Sequence, residues 1–216
     1  MMDIWEPCSF WDGLVLWLRM DEKSGGTAFD HSAYSNHGTS YGAVPTGLGW
    51  RFDGNDYINC GSDDSLNFGD AITVEVWIQV DEDDSFLDIA TRNAWNGWMM
   101  RRESSNRIMA RLKFVDDSTS GEIEGGSVTV ADGWSHCVFT YDSVSDDVVR
   151  IFVNGQQVKA SASMGNKKIK TGGSTRFGKI ETNFFKGLIA EIRIYKRALS
   201  SEELRLSYEL NKGLFS

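Results

Sequence analysis

The stretch richest in recognition chemistry runs Ala90-Thr91-Arg92-Asn93-Ala94-Trp95-Asn96-Gly97-Trp98. An indole face packs against the C–H groups of a ring, while neighbouring amides and a guanidinium reach its hydroxyls. Trp95, between Ala94 and Asn96, is the candidate for an exposed ring, with Arg92, Asn93 and Asn96 as its polar flank. Trp98 opens the next apolar run and reads as core. Further along, Arg107, Arg111 and Lys113 share one parity, and Ile108, Ala110, Leu112 and Phe114 share the other. Strand side chains alternate between faces. If the apolar face is core, a cationic strip faces outward, with Arg101 or Arg102 across the hairpin. Such a strip suits an anionic polymer, a uronic or sulfated glycan for example. The competing reading is a sheet face balanced by acids such as Glu103.

Acid–base chemistry is harder to find. Retaining cleavage of a glycosidic bond uses two carboxyl groups about 5 Å apart. Glu122 and Glu124 have strand-compatible spacing, but they stand in a loop-like stretch beside Gly125-Gly126. The run Asp81–Asp84 closes a strand and reads as a solvated turn. The histidines are His31, His37 and His136, and no Ser/His/Asp or Cys/His nucleophile arrangement is legible. No glycine-rich loop precedes a helix, which disfavours phosphate binding. Cys8, Cys60 and Cys137 lack metal-site spacing. Cys137 reads as a small core hydrophobe; Cys8 and Cys60 are either free or paired.

The elements that must position these groups are strands. In Trp134–Lys159, WSHCVFTYDSVSDDVVRIFVNGQQVK, two apolar runs of strand length flank a polar linker. Val149, Ile151 and Val153 recur every second residue, a strand period. Asn154-Gly155 predicts a type I′ turn. Ile72–Val80 alternates Val74, Val76 and Ile78 against Thr73, Glu75, Trp77 and Gln79. Gly187–Tyr195 alternates Leu188, Ile192 and Ile194 against Glu191 and Arg193. Shorter strands are expected at 13–18, 86–91, 98–102, 107–115 and 176–180, with a polar loop over 116–127. Residues 47–58 read as a hairpin turned at Asp53-Gly54. One helix closes the chain, where Ser200 and Glu203 form a capping box and Gly213 marks a stop.

The chain of 216 residues carries a formal net charge of −9. That acidity disfavours nucleic acid, whose phosphates need clustered Lys and Arg. The N-terminus carries Asp3 and Glu6 where a signal peptide needs positive charge, and its longest apolar run, Leu14–Leu18, is too short for a membrane span. The expectation is a cytoplasmic chain, or one released in a particle. An arm over residues 1–12 bears Trp5, Phe10 and Trp11, apt for docking onto a partner; residues 13–216 read as one domain.

Several blocks together then resemble a known family. Gly13 through Ser24-Gly25-Gly26 to DHSAYSNHGT and RFDGNDYINC, then ITVEVWIQV, then DGWSHCVFTYD with VRIFVNGQQV, and finally GLIAEIRIYKRALSSEEL resemble LamG-like jellyroll domains of the concanavalin A-like lectin/glucanase superfamily. The resemblance spans about Gly13 to Leu204. It implies an all-β fold, an antiparallel jellyroll β-sandwich with one short C-terminal helix. It implies no single function, because such folds host lectins, adhesion modules, hydrolases and lyases. The glucanase motif E-x-D-x-x-E or E-x-D-x-E is absent, and no histidine follows a glutamine as in lyases of this fold. His136 matches the family's packed Trp-x-His position. Many members hold structural calcium through an Asp at the start of the last long strand, where this chain has Ala190. Asp30 and Asn36 remain as oxygen donors for that metal.

Three readings follow. The first is a non-catalytic carbohydrate-binding or adhesion domain contacting a glycan through Trp95, Arg92, Asn93 and Asn96, with the Arg107/Arg111/Lys113 strip. The second is a structural or virion-surface assembly protein using its N-terminal arm. The third is a divergent polysaccharide lyase or glycoside hydrolase.

Overall fold

The computed structural model describes residues 8–117 and 122–215. Trp5 and residues 118–121 of the stretch expected as a loop lie outside them; the end of that stretch forms a strand. The first half of the chain supplies β1 (Leu14–Leu18), β2 (Thr27–Ala28), β3 (Gly38–Tyr41), β4 (Val44–Pro45), β5 (Trp50–Asp53), β6 (Tyr57–Asn59), β7 (Ala71–Val80), β8 (Leu87–Arg92) and β9 (Trp98–Arg102). The second half supplies β10 (Arg107–Leu112), β11 (Ile123–Ser127), β12 (Trp134–Asp142), β13 (Arg150–Val153), β14 (Gln156–Ala160), β15 (Thr175–Phe177), β16 (Lys179–Ile180), β17 (Asn183–Phe184) and β18 (Lys186–Tyr195), then helix α1 (Ser201–Asn211).

Two sheets form. The first runs β14-β13-β12-β7-β18-β5-β4, with β1 also on β18. The second runs β11-β10-β9-β8-β15-β6-β3-β2, and β16 pairs β17 as a separate hairpin. The alternation read from β7 decides how they stack. Val74, Val76 and Ile78, with Cys137, Phe139 and Tyr141 of β12, meet Trp98, Met100, Ile108, Ala110, Leu112 and Phe177 of the second sheet in one core. Each fully buried side chain of this size contributes about 1.5–3 kcal/mol by leaving water. The architecture is therefore an antiparallel β-sandwich with one short C-terminal helix.

Local signals worked where they were strongest. Asn154 and Gly155 have φ of +51° and +74°, joining β13 to β14. Ser200 and Glu203 cap α1 reciprocally, with Glu203 N donating to Ser200 Oγ at 3.2 Å and Ser200 N to Glu203 Oε2 at 2.8 Å. Two expectations are corrected. Asp53-Gly54 does bend the chain, but β5 pairs β4 and β18 in the first sheet, while β6 pairs β3 and β15 in the second. The turn carries the chain across the sandwich instead of folding a hairpin. In β18 the register against β7 shifts between Ala190 and Ile192, so Ile189, not Leu188, joins Ile192 and Ile194 in the core. Cys60 is a free buried thiol, as is Cys137, and burial pushes both thiols up in pKa.

Candidate functional site

The strands β8 and β9 run antiparallel, with Thr91 opposite Met99 and Arg92 opposite Trp98. Between them Asn93 (φ +61°) and Ala94 (φ +44°) are both left-handed, which throws residues 94–96 out as a single helical turn. A left-handed residue with a Cβ is a strained one. Trp95 rides on that turn and keeps 39% of its surface exposed. Trp98 faces inward and is buried, as its place in the sequence suggested.

The Arg111 guanidinium lies over the Trp95 ring, 4.4 Å from its centroid, and Arg101 approaches the same ring at 5.7 Å. Arg101 also lies 5.5 Å from the Phe86 ring. Beneath them Met99, Met109 and Ile180 form a small buried cluster on the outer face of the second sheet. Ile180, from the β16–β17 hairpin, thus fills the middle of that face. Asp88 is wholly buried there, 2.6 Å from Arg101, and its Oδ2 accepts Ile180 N at 3.1 Å. Burial raises the Asp88 pKa against the opposing pull of Arg101.

The parity reading of β10 places Ile108, Ala110 and Leu112 in the core and Arg107 and Arg111 outward. The strip is not bare charge, however. Arg111 Nε sits 2.9 Å from Glu122, Arg107 sits 3.8 Å from Glu124, and Lys113 Nζ donates to the Asp117 carbonyl at 2.7 Å. Asn96 is exposed beside Trp95, and the Asn93 amide donates weakly to the Asn96 carbonyl at 3.4 Å. Arg92 departs from expectation. It is 2% exposed, and its guanidinium donates to Thr175 Oγ1 at 3.0 Å and Asn67 Oδ1 at 2.8 Å. A side chain so engaged holds the base of the loop and has no face to offer a ligand.

Asp30 and Asn36 do not fit calcium. Asp30 Oδ1 accepts Trp17 N and Ser32 N, at 2.8 and 2.9 Å; Oδ2 accepts Ser32 Oγ and Asn36 N, both at 2.7 Å. Both oxygens thus face protons where a cation would need bare lone pairs. Asn36 turns its amide nitrogen to Val15 O and Ser65 Oγ. The pair clamps the loop onto β1. No cluster of three or more His, Cys, Asp or Glu suited to a metal occurs among the described residues.

Sequence reasoning missed two groupings. One is a ladder of rings across β3 and β6, where Tyr41 stacks on Tyr57 at 4.6 Å and Lys179 lies 4.8 Å from both the Tyr57 and Phe184 centroids. The other lies under α1, on the outer face of the first sheet. Glu75 and His136 are fully buried, with His136 Nε2 2.8 Å from Glu75 Oε1. Ser207 Oγ donates to the same oxygen, and Arg193 Nη1 stands 3.8 Å away. The serine bonds the carboxylate and not the imidazole, so this is no nucleophilic triad. Trp77 on the supposedly polar side of β7 was the available signal that something covers that face. In the N-terminal arm, Phe10 is buried and the exposed Trp11 meets Trp17 at a tilt, 5.2 Å between ring centroids, so the described part of the arm touches its own domain.

A laminin G family model, described as concanavalin A-like lectin/glucanases superfamily, matches residues 52–205. No curated protein sequence matches the chain. Among solved structures, it is similar to one of botulinum neurotoxin type C, whose cell entry depends on interaction with two ganglioside molecules. The TM-score is 0.72 at 15% identity, covering 94% of this chain and 52% of that one. It is also similar to the ligand-binding domain of botulinum neurotoxin serotype D in complex with N-acetylneuraminic acid, with TM-score 0.71, 15% identity and coverage of 92% and 51%. The binding domain of Paraclostridial Mosquitocidal Protein 1 gives TM-score 0.64 at 17% identity, with coverage of 92% and 52%. The chain spans about half the length of these structures, and at such identity the likeness is one of fold. No helix among the described residues is long and apolar enough to cross a membrane. The family match over most of the sequence, on the sandwich that its strands build, makes the chain a member of the concanavalin A-like lectin/glucanase superfamily.

Proposed function

We propose that this chain is a non-catalytic carbohydrate-binding domain that takes anionic glycans at the Trp95 loop. The observation that carries the reading is the half-exposed Trp95 ring, held out on a strained turn with the Arg111 guanidinium against it. A sugar stacks on the free part of the ring, its hydroxyls meet the Asn93 and Asn96 amides, and its carboxylate competes with Glu122 for Arg111. Arg107 and Lys113 extend the cationic side. The acids on this face support a binding role and not cleavage, because Asp88, Glu103, Glu122 and Glu124 each lie within 4 Å of an arginine. Structural neighbours in complex with N-acetylneuraminic acid, or dependent on gangliosides, support the ligand class.

The test is a glycan array of sialylated, uronate-bearing, sulfated and neutral oligosaccharides, with and without calcium, probed with wild type and Trp95→Ala. Acidic glycans bind, and the variant loses at least about tenfold in affinity, as removal of a central aromatic anchor does. An array without hits, or hits that Trp95→Ala retains, refutes the reading.

A further inference from the structure

On the outer face of the first sheet, across the sandwich from Trp95, a cavity of about 430 Å³ opens between Phe10 and Trp11, β1, β18 and α1. Pockets of about 300–1,000 Å³ hold small organic ligands. Its walls are apolar, with Phe10, Trp11, Trp17, Leu210 and Leu214 around the mouth. Its floor is polar, lined by Glu191, Arg193 and Ser207.

Glu191 is the unusual residue. It has φ +36° in the middle of a central strand, at the bulge where β18 shifts against β7. Strained residues with a Cβ collect at functional sites because the surrounding fold must hold them. The side chain is 9% exposed and lines the cavity. Oε1 accepts Trp17 Nε1 at 2.6 Å and meets Arg193 Nη2 at 2.6 Å. Oε2 accepts no hydrogen bond from the described residues. A carboxylate oxygen on the lining of an open cavity can take its donor from a ligand.

The charge count points to what that is. Glu75 and Glu191 both lean on Arg193, at 3.8 and 2.6 Å, so two carboxylates share one guanidinium. The other arginine at the cavity, Arg19, pairs with Asp21 at 2.9 Å. Burial, with the Glu75 charge nearby, raises the Glu191 pKa despite Arg193. A cation entering there also gains from the Trp11 ring beside it.

We propose that this cavity binds a small amphipathic amine, its apolar body among Trp11, Trp17, Leu210 and Leu214 and its ammonium on Glu191. The site is independent of the Trp95 loop and stands or falls without it.

The experiment uses the full chain, with phenethylamine as probe, titrated by calorimetry and by tryptophan fluorescence. The comparison ligands are 2-phenylethanol, of similar body without charge, and 3-phenylpropionate, with the charge reversed. Phenethylamine binds saturably with Kd on the order of 0.1–1 mM, as expected for a fragment of its size. The alcohol binds about tenfold more weakly and the carboxylate not at all. Glu191→Gln lowers amine affinity about tenfold while leaving the alcohol unchanged. Leu210→Trp, at an exposed helix position on the rim, abolishes binding and keeps the test valid if Glu191→Gln fails to fold. Absence of saturation by about 10 mM amine, equal binding of 3-phenylpropionate, or undiminished amine affinity in folded Glu191→Gln overturns the proposal.

Discussion

Replacing Glu75 by Gln isolates the most heavily invested buried charge in the fold. The carboxylate is fully buried on the outer face of β7 and receives His136 Nε2 and Ser207 Oγ, with Arg193 close by. Burial alone would push its pKa up; the His136 hydrogen bond and the Arg193 charge bring it from 4.5 down to about 2. That lowering, at about 1.36 kcal/mol per tenfold change in proton affinity, is about 3 kcal/mol of stability. The folded-state value lies below the unfolded one, so this stability is fully present above about pH 4.5 and drains away as pH falls toward about 2. Losing one partner of a buried pair costs about 3–5 kcal/mol, a consistent figure. For a chain of this size each kcal/mol moves Tm by about 2–4 °C, so Glu75→Gln lowers Tm by roughly 6–12 °C at pH 7. Calorimetric or circular-dichroism melts of both proteins from pH 7 to pH 2.5 read the outcome. Wild type loses stability steeply below pH 4.5, and the variant follows a shallower acid limb. A Tm change under about 2 °C, or parallel acid limbs, refutes the assignment of Glu75 as an ionised anchor of α1.

Other substitutions separate scaffold from surface. Gly187→Ala places a Cβ 2.1 Å from the Gln79 carbonyl at φ +144°, against the backbone of β7. It costs about 3 kcal/mol or more, visible as loss of soluble protein or a large drop in urea midpoint. Arg92→Lys removes the paired hydrogen bonds to Thr175 and Asn67 beneath the candidate loop. It destabilises by about 2–3 kcal/mol in chemical denaturation, since an ammonium cannot replace the guanidinium fork. Trp95→Ala does the reverse, changing stability by less than about 1 kcal/mol while weakening the glycan response about tenfold.

Much of the fold was legible because the strong strands carry a strict period. Val74, Val76 and Ile78, or Ile108, Ala110 and Leu112, can satisfy only one face, and the core accepted that face in each case. The bulge at Glu191 was not legible, since a register shift inserts one residue without altering composition. Asp53-Gly54 specifies a bend but not the sheet that the next strand joins. At the candidate site, an exposed Trp95 could be inferred from its polar neighbours. The burial of Arg92 could not, because its partners Thr175 and Asn67 stand far away in sequence. Asp30 and Asn36 show the same limit. Their oxygens suit calcium by type, and only the geometry reveals that backbone N–H groups and a serine hydroxyl already occupy the carboxylate. The Glu75–His136–Arg193 cluster was hidden for a related reason, since α1 covers a face that alternation alone assigns to water.

Direct titration of an acidic oligosaccharide into the full chain bears most closely on the central claim. Calorimetry with a sialylated oligosaccharide, at low and high salt, predicts saturable binding that weakens with salt and falls about tenfold in Trp95→Ala. A flat titration, or an isotherm identical in wild type and Trp95→Ala, contradicts a glycan site on this loop.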